Sequence, residues 1–325
     1  MSILSKPYFH NEAAAFEHVE TVLWPEGPVC HHCGSVRKPY KLSGVRSKAS
    51  KKNPEGVERH GLYKCPDCLG QFTVRMGSIF EESHIPLHKW LQALYLMCSS
   101  KKGISAHQMH RTLELTYKTA WFLCHRIRFA MQATTTEPMG GAGKIVEVDE
   151  TFIGKFDDVP HRAKVRNSKM TVVTIVERGG EARSFPTAGH RRSDVESLMM
   201  NNINPESALM TDEANHYKAV GKRFVSHDFV NHKNDEYVRG HITTNTVEGF
   251  YSIFKRGMKG VYQHCSEKHL HRYLAEFDFR YSNRIKTGFD DAARAHKALG
   301  KVIGKRLLYR DSSVWNTSDR VSEGS

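Results

Sequence analysis

"VEVDETFIGK", residues 146–155, decides how the second half of the chain is read. Read as a strand of period two, it places Ile145, Glu147, Asp149 and Thr151 on one face and Val146, Val148, Glu150 and Phe152 on the other. Neither face is cleanly apolar, and carboxylates within a strand are costly unless something offsets their charge. A second apolar run, "ALMTD", ends at Asp212, where a parallel strand of an α/β sheet delivers a side chain to its carboxyl edge. Acids gathered in this way suit a divalent cation with oxygen ligands, Mg2+ or Mn2+, and through it phosphodiester chemistry.

The flanking pattern supplies the rest of the sheet. "MTVVTIVERGGEARSF" reads as two strands turning at Gly179 and Gly180, and "RFVSHDFV" as a further one, while "RSDVESLMMNNI" and "TVEGFYSIFKRGM" carry helical spacing. A meander followed by alternating strands and helices predicts a mixed α/β sheet flanked by helices. Upstream, "TTTEPMGGAGK" (134–144) reads as a linker that separates residues 145–290 from a helical stretch at 81–133. Residues 29–80 form a cysteine-bearing module. Residues 1–28 read as one short helix, with Ala13, Ala14, Phe16, Val19 and Val22 apolar, and residues 291–325 as a C-terminal tail, without clear period after about residue 305.

Within the cysteine module, "VCHHCGS" and "YKCPDCLG" set Cys30 and Cys33 against Cys65 and Cys68, two C-x2-C pairs about thirty residues apart. Each pair can wrap one edge of a tetrahedral Zn2+, and each precedes a turn-forming glycine, Gly34 or Gly70. Four thiolates close the coordination shell, so the ion stabilises the fold and does no chemistry; His31 and His32 are alternative ligands. Cys98, Cys124 and Cys265 lie in apolar helical patterns and read as core.

The balance of 48 Lys+Arg against 35 Asp+Glu, a formal charge of +13, favours a polyanionic partner, with nucleic acid the default reading. Residues 37–60, between the cysteine pairs, hold many of these cations. "GISAHQMHRTLELTYKTAWFLCHRIRFAM" (103–131) reads as helix, break near Leu115 and Thr116, then helix, with Ser105 and Thr116 placed as caps. That is the outline of a helix-turn-helix, which would bring Tyr117, Lys118 and Thr119 to DNA bases. No apolar stretch approaches the roughly 18 residues of a membrane span, and no signal-peptide pattern opens the chain, which predicts a cytoplasmic protein.

A third ligand for the cation comes from "HITTNTVEGFYSIFKRG". On a helix, Asn245, Glu248, Ser252 and Lys255 share one face, opposed by Val247, Phe250 and Phe254. With "WPEGPVCHHCGS", "YKCPDCLGQFTVRMGSIFEES", "KTAWFLCHRIRFAM", "EVDETFIGK" and "TDEANHY", in chain order, this segment resembles the bacterial insertion-sequence transposases of the ISXO2-like group, which join a zinc ribbon to a DDE integrase-like domain. Eukaryotic Merlin elements are similar to the same group. The likeness runs from about residue 8 to residue 285.

The resemblance implies an RNase H-like fold for the second half, with Asp149 and Asp212 as the first two metal ligands. For the third it leaves Glu248 and Asn245 as rivals. Glu248 is preferred because Lys255 follows it by seven residues as a DNA contact, and because a carboxylate balances metal charge better than an amide. Glu150 falls on the opposite strand face and is excluded. Asp157, Asp158, Asp194, Asp228, Asp235, Asp290 and Asp291 lie in turn-like or polar settings and read as structural. The implied function is a transposase that binds its element ends and target DNA as a homodimer or larger synaptic complex near the nucleoid. Two rivals are a non-catalytic DNA-binding regulator and an RNase H-like nuclease or resolvase.

Overall fold

The computed structural model describes residues 2–51, 53–134, 137–155, 169–187, 192–231 and 238–309. Asp157, Asp158, Asp235 and residues 310–325 of the expected tail lie outside the described residues. The described chain divides into two compact units, one of residues 2–99, 106–130 and 291–309, the other of 100–105 and 131–290.

In the first unit, Asn11 Oδ1 accepts the Ala14 N–H at 2.9 Å and starts helix α1 (Glu12–Leu23). Its buried stripe is Ala15, Phe16, Val19 and Leu23; the expected Ala13, Ala14 and Val22 lie half-buried at the margins. Strands β1 (Tyr40–Leu42), β2 (Leu62–Lys64) and β3 (Gln71–Phe72) pair antiparallel in that order. The spacing of Leu87, Trp90, Leu91, Leu94 and Tyr95 predicts a helix, and α2 (Leu87–Ser99) buries the first four of them, with Tyr95 half-buried. It is capped from a distance: the Glu12 carboxylate accepts the backbone N–H of Leu87 at 2.7 Å and of His88 at 3.1 Å.

Helix α3 (Ala106–Leu113) stops where Glu114 turns left-handed at φ 52°, and α4 (Tyr117–Met131) begins after Thr116, whose Oγ1 accepts the Thr119 N–H at 3.3 Å. The outline is the helix-break-helix read from the sequence. Cys98 and Cys124 are buried, as expected of core thiols.

The second unit is built on a five-stranded sheet of β4 (Ile145–Ile153), β5 (Met170–Glu177), β6 (Ala182–Thr187), β7 (Ala208–Thr211) and β8 (Ser226–Phe229), in the order β6-β5-β4-β7-β8. The first three strands form an antiparallel meander, and β7 and β8 continue parallel to β4. This is the mixed RNase H-like sheet that the resemblance implied. Pro186, which lacks an N–H, sits on the edge strand β6, where no ladder bond is lost on the open side. A small hairpin, β9 (Val238–Arg239) and β10 (Ile242–Thr243), leads into the helix that follows it.

Each face of the sheet carries its own core. On one side Val146, Val148, Val173, Ile175 and Leu209 pack with Val195 and Met199 of α5 (Arg192–Asn202) and Tyr217 and Val220 of α6 (Asn215–Val220). On the other Met170, Val172 and Val176 pack with Val247, Phe250, Tyr251 and Phe254 of α7 (Asn245–Gly257) and Leu270, Tyr273, Leu274 and Phe277 of α8 (Glu267–Ser282). Cys265 packs against this second core.

The expected tail is corrected over its first residues. Asp291–Gly300 forms helix α9, which packs on α1 and α2, and Arg294 donates to Cys98 O at 2.6 Å. Its apolar positions are mostly alanine, too weak a period to stand out in the sequence.

Phe254 is fully buried against Phe250 and, edge to face at 5.2 Å, Phe277. Phe254→Ala is expected to cost about 3–5 kcal/mol in chemical denaturation followed by circular dichroism. Ile285→Ala, on an exposed side chain, should stay within about 0.5 kcal/mol.

Candidate active site and metal centre

The four cysteines meet. Cys30 and Cys33 precede β1, Cys65 and Cys68 follow β2, and all four sulfurs lie within 4.8 Å of one another. Cys30 Sγ is 3.7 Å from Cys68 Sγ, and Cys33 Sγ is 3.6 Å from Cys65 Sγ. A tetrahedral ion with bonds of about 2.3 Å to sulfur has edges of about 3.8 Å, so the donor set fits Zn2+. Backbone N–H groups of Cys68 and, against desolvation, Asp67 pull the Cys65 thiol down to about 7. Cys33, despite a bond from the Ser35 backbone, is pushed up to about 12 by local desolvation and by its sulfur neighbours, although its side chain is exposed. Four thiols this close cannot all ionise without a cation among them.

One detail of the ribbon differs from the reading. Gly34 takes the left-handed turn conformation at φ 71°, but in the second knuckle Leu69 does so, at φ 59°. Gly70 is needed for another reason: a Cβ there would stand 2.8 Å from the His32 ring. His32 Nε2 instead bonds Gln71 O at 3.0 Å, and neither His31 nor His32 belongs to the sulfur cluster.

The acids of the sheet fall into two groups. The parallel pairing of β4 with β7 runs Ile145 with Ala208, Val146 with Leu209 and Glu147 with Met210, so two residues further on Asp149 comes level with Asp212. Asp212 Oδ1 accepts the Ala214 N–H at 3.0 Å, which holds the carboxylate at the strand end. α7 packs on the same face of β4, and its Tyr251 O–H donates to Asp149 O at 2.6 Å. Burial, opposed by the Glu150 N–H on Asp149 Oδ1 at 2.7 Å, combines with the charges of Asp212, Glu150 and Glu248 to push the Asp149 carboxyl up to about 7. Glu248 is exposed, and its Oε1 accepts the Thr244 hydroxyl at 2.7 Å.

Asn245 is exposed at the first residue of α7, one turn before Glu248. Lys255, two turns after Glu248, carries its Nζ 5.8 Å from the centre of the Tyr251 ring. Glu150 lies in regular register opposite Val173 and so faces away from Asp149, as expected, although its charge still reaches that carboxyl.

Glu147 shares a face of β4 with Asp149, as the period-two reading places it, but it is held by different partners. It is fully buried: its Oε2 accepts the N–H groups of Thr246 at 2.8 Å and Val247 at 2.9 Å, and its Oε1 accepts the Thr246 hydroxyl and Arg178 Nε. Of Glu147, Arg178 and Tyr251 the sequence marks only Glu147, as an acid of the strand, and gives none of them a role. Their only local signal is the acid between two buried valines, since the partners of Glu147 lie 31 to 100 residues away.

In the first unit, the three residues at the start of α4 stand at its surface end. Tyr117, exposed, stacks on His107 with centroids 4.3 Å apart, Lys118 Nζ lies 4.7 Å above the Tyr309 ring, and Thr119 Oγ1 bonds Thr116 Oγ1 at 2.8 Å.

Comparison with known proteins finds two matching domain families. Residues 140–282 match the ISXO2-like transposase domain, and residues 10–71 match the transposase zinc-ribbon domain. The chain is also similar, at 24% identity over 294 residues, to an uncharacterized protein in transposable element ISH50 of Halobacterium salinarum, covering 84% of this chain and 91% of that one. Among the described residues no helix is long and apolar enough to cross a membrane.

Zinc removal should unfold the ribbon, because apparent binding energies of structural zinc, about 10–16 kcal/mol, exceed what so small a core supplies. Trp24, packed edge to face on Tyr63 and Phe72 beside the cysteines, should report the loss as a fluorescence change on chelation, and Cys65→Ser should retain no zinc.

A second expectation concerns pH. Burial holds the Asp278 carboxyl, bonded by Ser184 N–H and Oγ, up at about 7, as it does Asp149. Both are protonated in the metal-free fold and ionised in the unfolded chain between about pH 4 and pH 7. The unfolded state then binds fewer protons, so this contribution to stability is full below that window and is lost as pH rises through it. Asp278→Asn should flatten the slope in urea denaturation across that range.

Proposed function

With residues 140–282 belonging to the ISXO2-like transposase domain family and residues 10–71 to the transposase zinc-ribbon domain family, we propose that the chain is an active DDE transposase that cuts DNA at its element ends and joins them to a target. The observation that carries this reading is the convergence of Asp149 and Asp212, level at the ends of neighbouring parallel strands, with α7 and its Glu248 packed on the same face; burial first, and then the charges of Asp212, Glu150 and Glu248, push the Asp149 carboxyl up to about 7. Such mutual repulsion is relieved by a cation, and perturbed acids of this kind cluster at functional sites.

Asp149, Asp212 and Glu248 would hold Mg2+ or Mn2+, whose chemistry is to polarise the phosphoryl group and to ease deprotonation of the attacking oxygen. Water attacks the phosphodiester at the element end, making one P–O bond as the 3′ oxygen leaves and takes up a proton. The freed 3′-hydroxyl then attacks a target phosphodiester in line, again exchanging one P–O bond for another, so no covalent intermediate with the protein is required. Lys255, on the exposed face of α7 beyond Glu248, would contact the strand backbone as a point charge.

The zinc ribbon and the start of α4 are assigned to end recognition, with Tyr117, Lys118 and Thr119 near the bases and the cations of residues 37–60 on phosphates. Joining two ends to one target requires a dimer or larger synaptic assembly. The relative from ISH50 carries the name of a transposable element, which agrees with this assignment.

The test is a strand-transfer assay on labelled DNA from the flanks of the gene, with Mg2+. Asp149→Asn, Asp212→Asn and Glu248→Gln should each lose more than about a hundredfold, since even residues that only orient a metal ligand cost up to that much. Asn245→Ala should lose far less. Cleavage without joined products would assign a nuclease, and salt-sensitive binding without cleavage by zinc-loaded protein a regulator.

A further inference from the structure

α7 carries Glu248 yet does not cap its own first turn. Its N-cap Thr244 makes no side-chain cap bond, because the hydroxyl donates to Glu248. The N–H groups of Thr246 and Val247, left without partners inside the helix, are met instead by Glu147 from β4 at 2.8 and 2.9 Å. Arg178, in the turn after β5, closes the arrangement. Its Nε donates to Glu147 Oε1 at 2.6 Å, while its two terminal nitrogens donate to His241 O at 2.7 Å and Thr243 O at 2.8 Å, on the hairpin that leads into α7. One turn along the helix, Tyr251 bonds Asp149 O.

The spacing of these contacts is matched on both elements. Glu147 precedes Asp149 by two residues on one face of β4, and the amides it binds lie just before Glu248 on α7. The Glu147 carboxylate, at the positive end of α7 and paired with a guanidinium, ties that end of the helix to β4.

We propose that Glu147 and Arg178 form a positioning clamp that fixes the first turn of α7 on β4 and thereby holds Glu248 against Asp149 and Asp212. The clamp rests on the reading of those three acids as the cation-holding set. Glu147 touches neither cation nor DNA; it acts through α7.

The test is Mn2+ affinity of the full-length, zinc-loaded protein, measured by water-proton relaxation below the melting temperature of every variant. Asp149→Asn should abolish binding. Glu147→Gln and Arg178→Gln should each weaken it by about tenfold or more. Arg178→Gln separates the clamp from a through-space effect, because removing a cation near the site would otherwise tighten Mn2+ binding. It also carries the test if Glu147→Gln fails to fold. Val195→Ala, in the core on the opposite face of the sheet, should lower stability and leave Mn2+ affinity unchanged.

Wild-type affinity in both clamp variants, with binding lost in Asp149→Asn, would overturn the clamp and leave the proposed site standing. Tighter binding in Arg178→Gln, or an equal loss in Val195→Ala, would also overturn it. Absence of Mn2+ binding in the wild type would overturn the site and the clamp together.

Discussion

β4 lies in the middle of a sheet covered on both faces, and yet it carries three acids. A carboxylate so placed must find donors or give up its charge. Glu147 finds donors in two backbone amides, a hydroxyl and a guanidinium. Asp149, beside Asp212 and within reach of Glu248, gives up charge instead, and its carboxyl stands near 7. The two solutions, two residues apart, divide the strand into a part that anchors a helix and a part that belongs to the proposed cation site.

The anchoring device occurs twice. In the first unit the Glu12 carboxylate accepts the first two amides of α2, as Glu147 accepts the amides of α7, and each adds a side-chain partner, His88 or Arg178. A glutamate supplied from another element satisfies the orphan donors and complements the helix dipole in one step, and it fixes where that helix begins. For α2 the result is the packing of a helical core. For α7 it sets the height of Glu248 above the sheet. The cysteine centre follows the same electrostatic logic with the opposite sign of remedy, since four crowded thiols need a cation where Glu147 needs donors.

What the sequence discloses is what depends on near neighbours. Period two over residues 145–153, the glycine turn at 179–180, the i, i+3, i+4 spacing of α2 and α7, and the paired C-x2-C knuckles all have local causes, and the structure places each where it was expected. The level of Asp212 with Asp149 was legible because parallel strands deliver side chains to one edge. Glu147 was not, because its partners lie at 178, 246 and 247, and an acid between valines carries no mark of what it will meet. Tyr251 escaped notice for a related reason: it sits in the apolar stripe of α7, and only its hydroxyl reaches the Asp149 backbone. α9, rich in alanine, and the left-handed Leu69, where glycine was expected, are cases in which packing and local geometry overrode a composition rule.

The central claim is that Asp149, Asp212 and Glu248 share a divalent cation. Anomalous diffraction from a Mn2+-soaked crystal tests it most directly. The account predicts a manganese peak between the carboxylates of Asp149 and Asp212, with Glu248 nearer to it than the Asn245 amide. A well-ordered site without a peak, or a peak bound by Asn245 with Glu248 turned away, would contradict it.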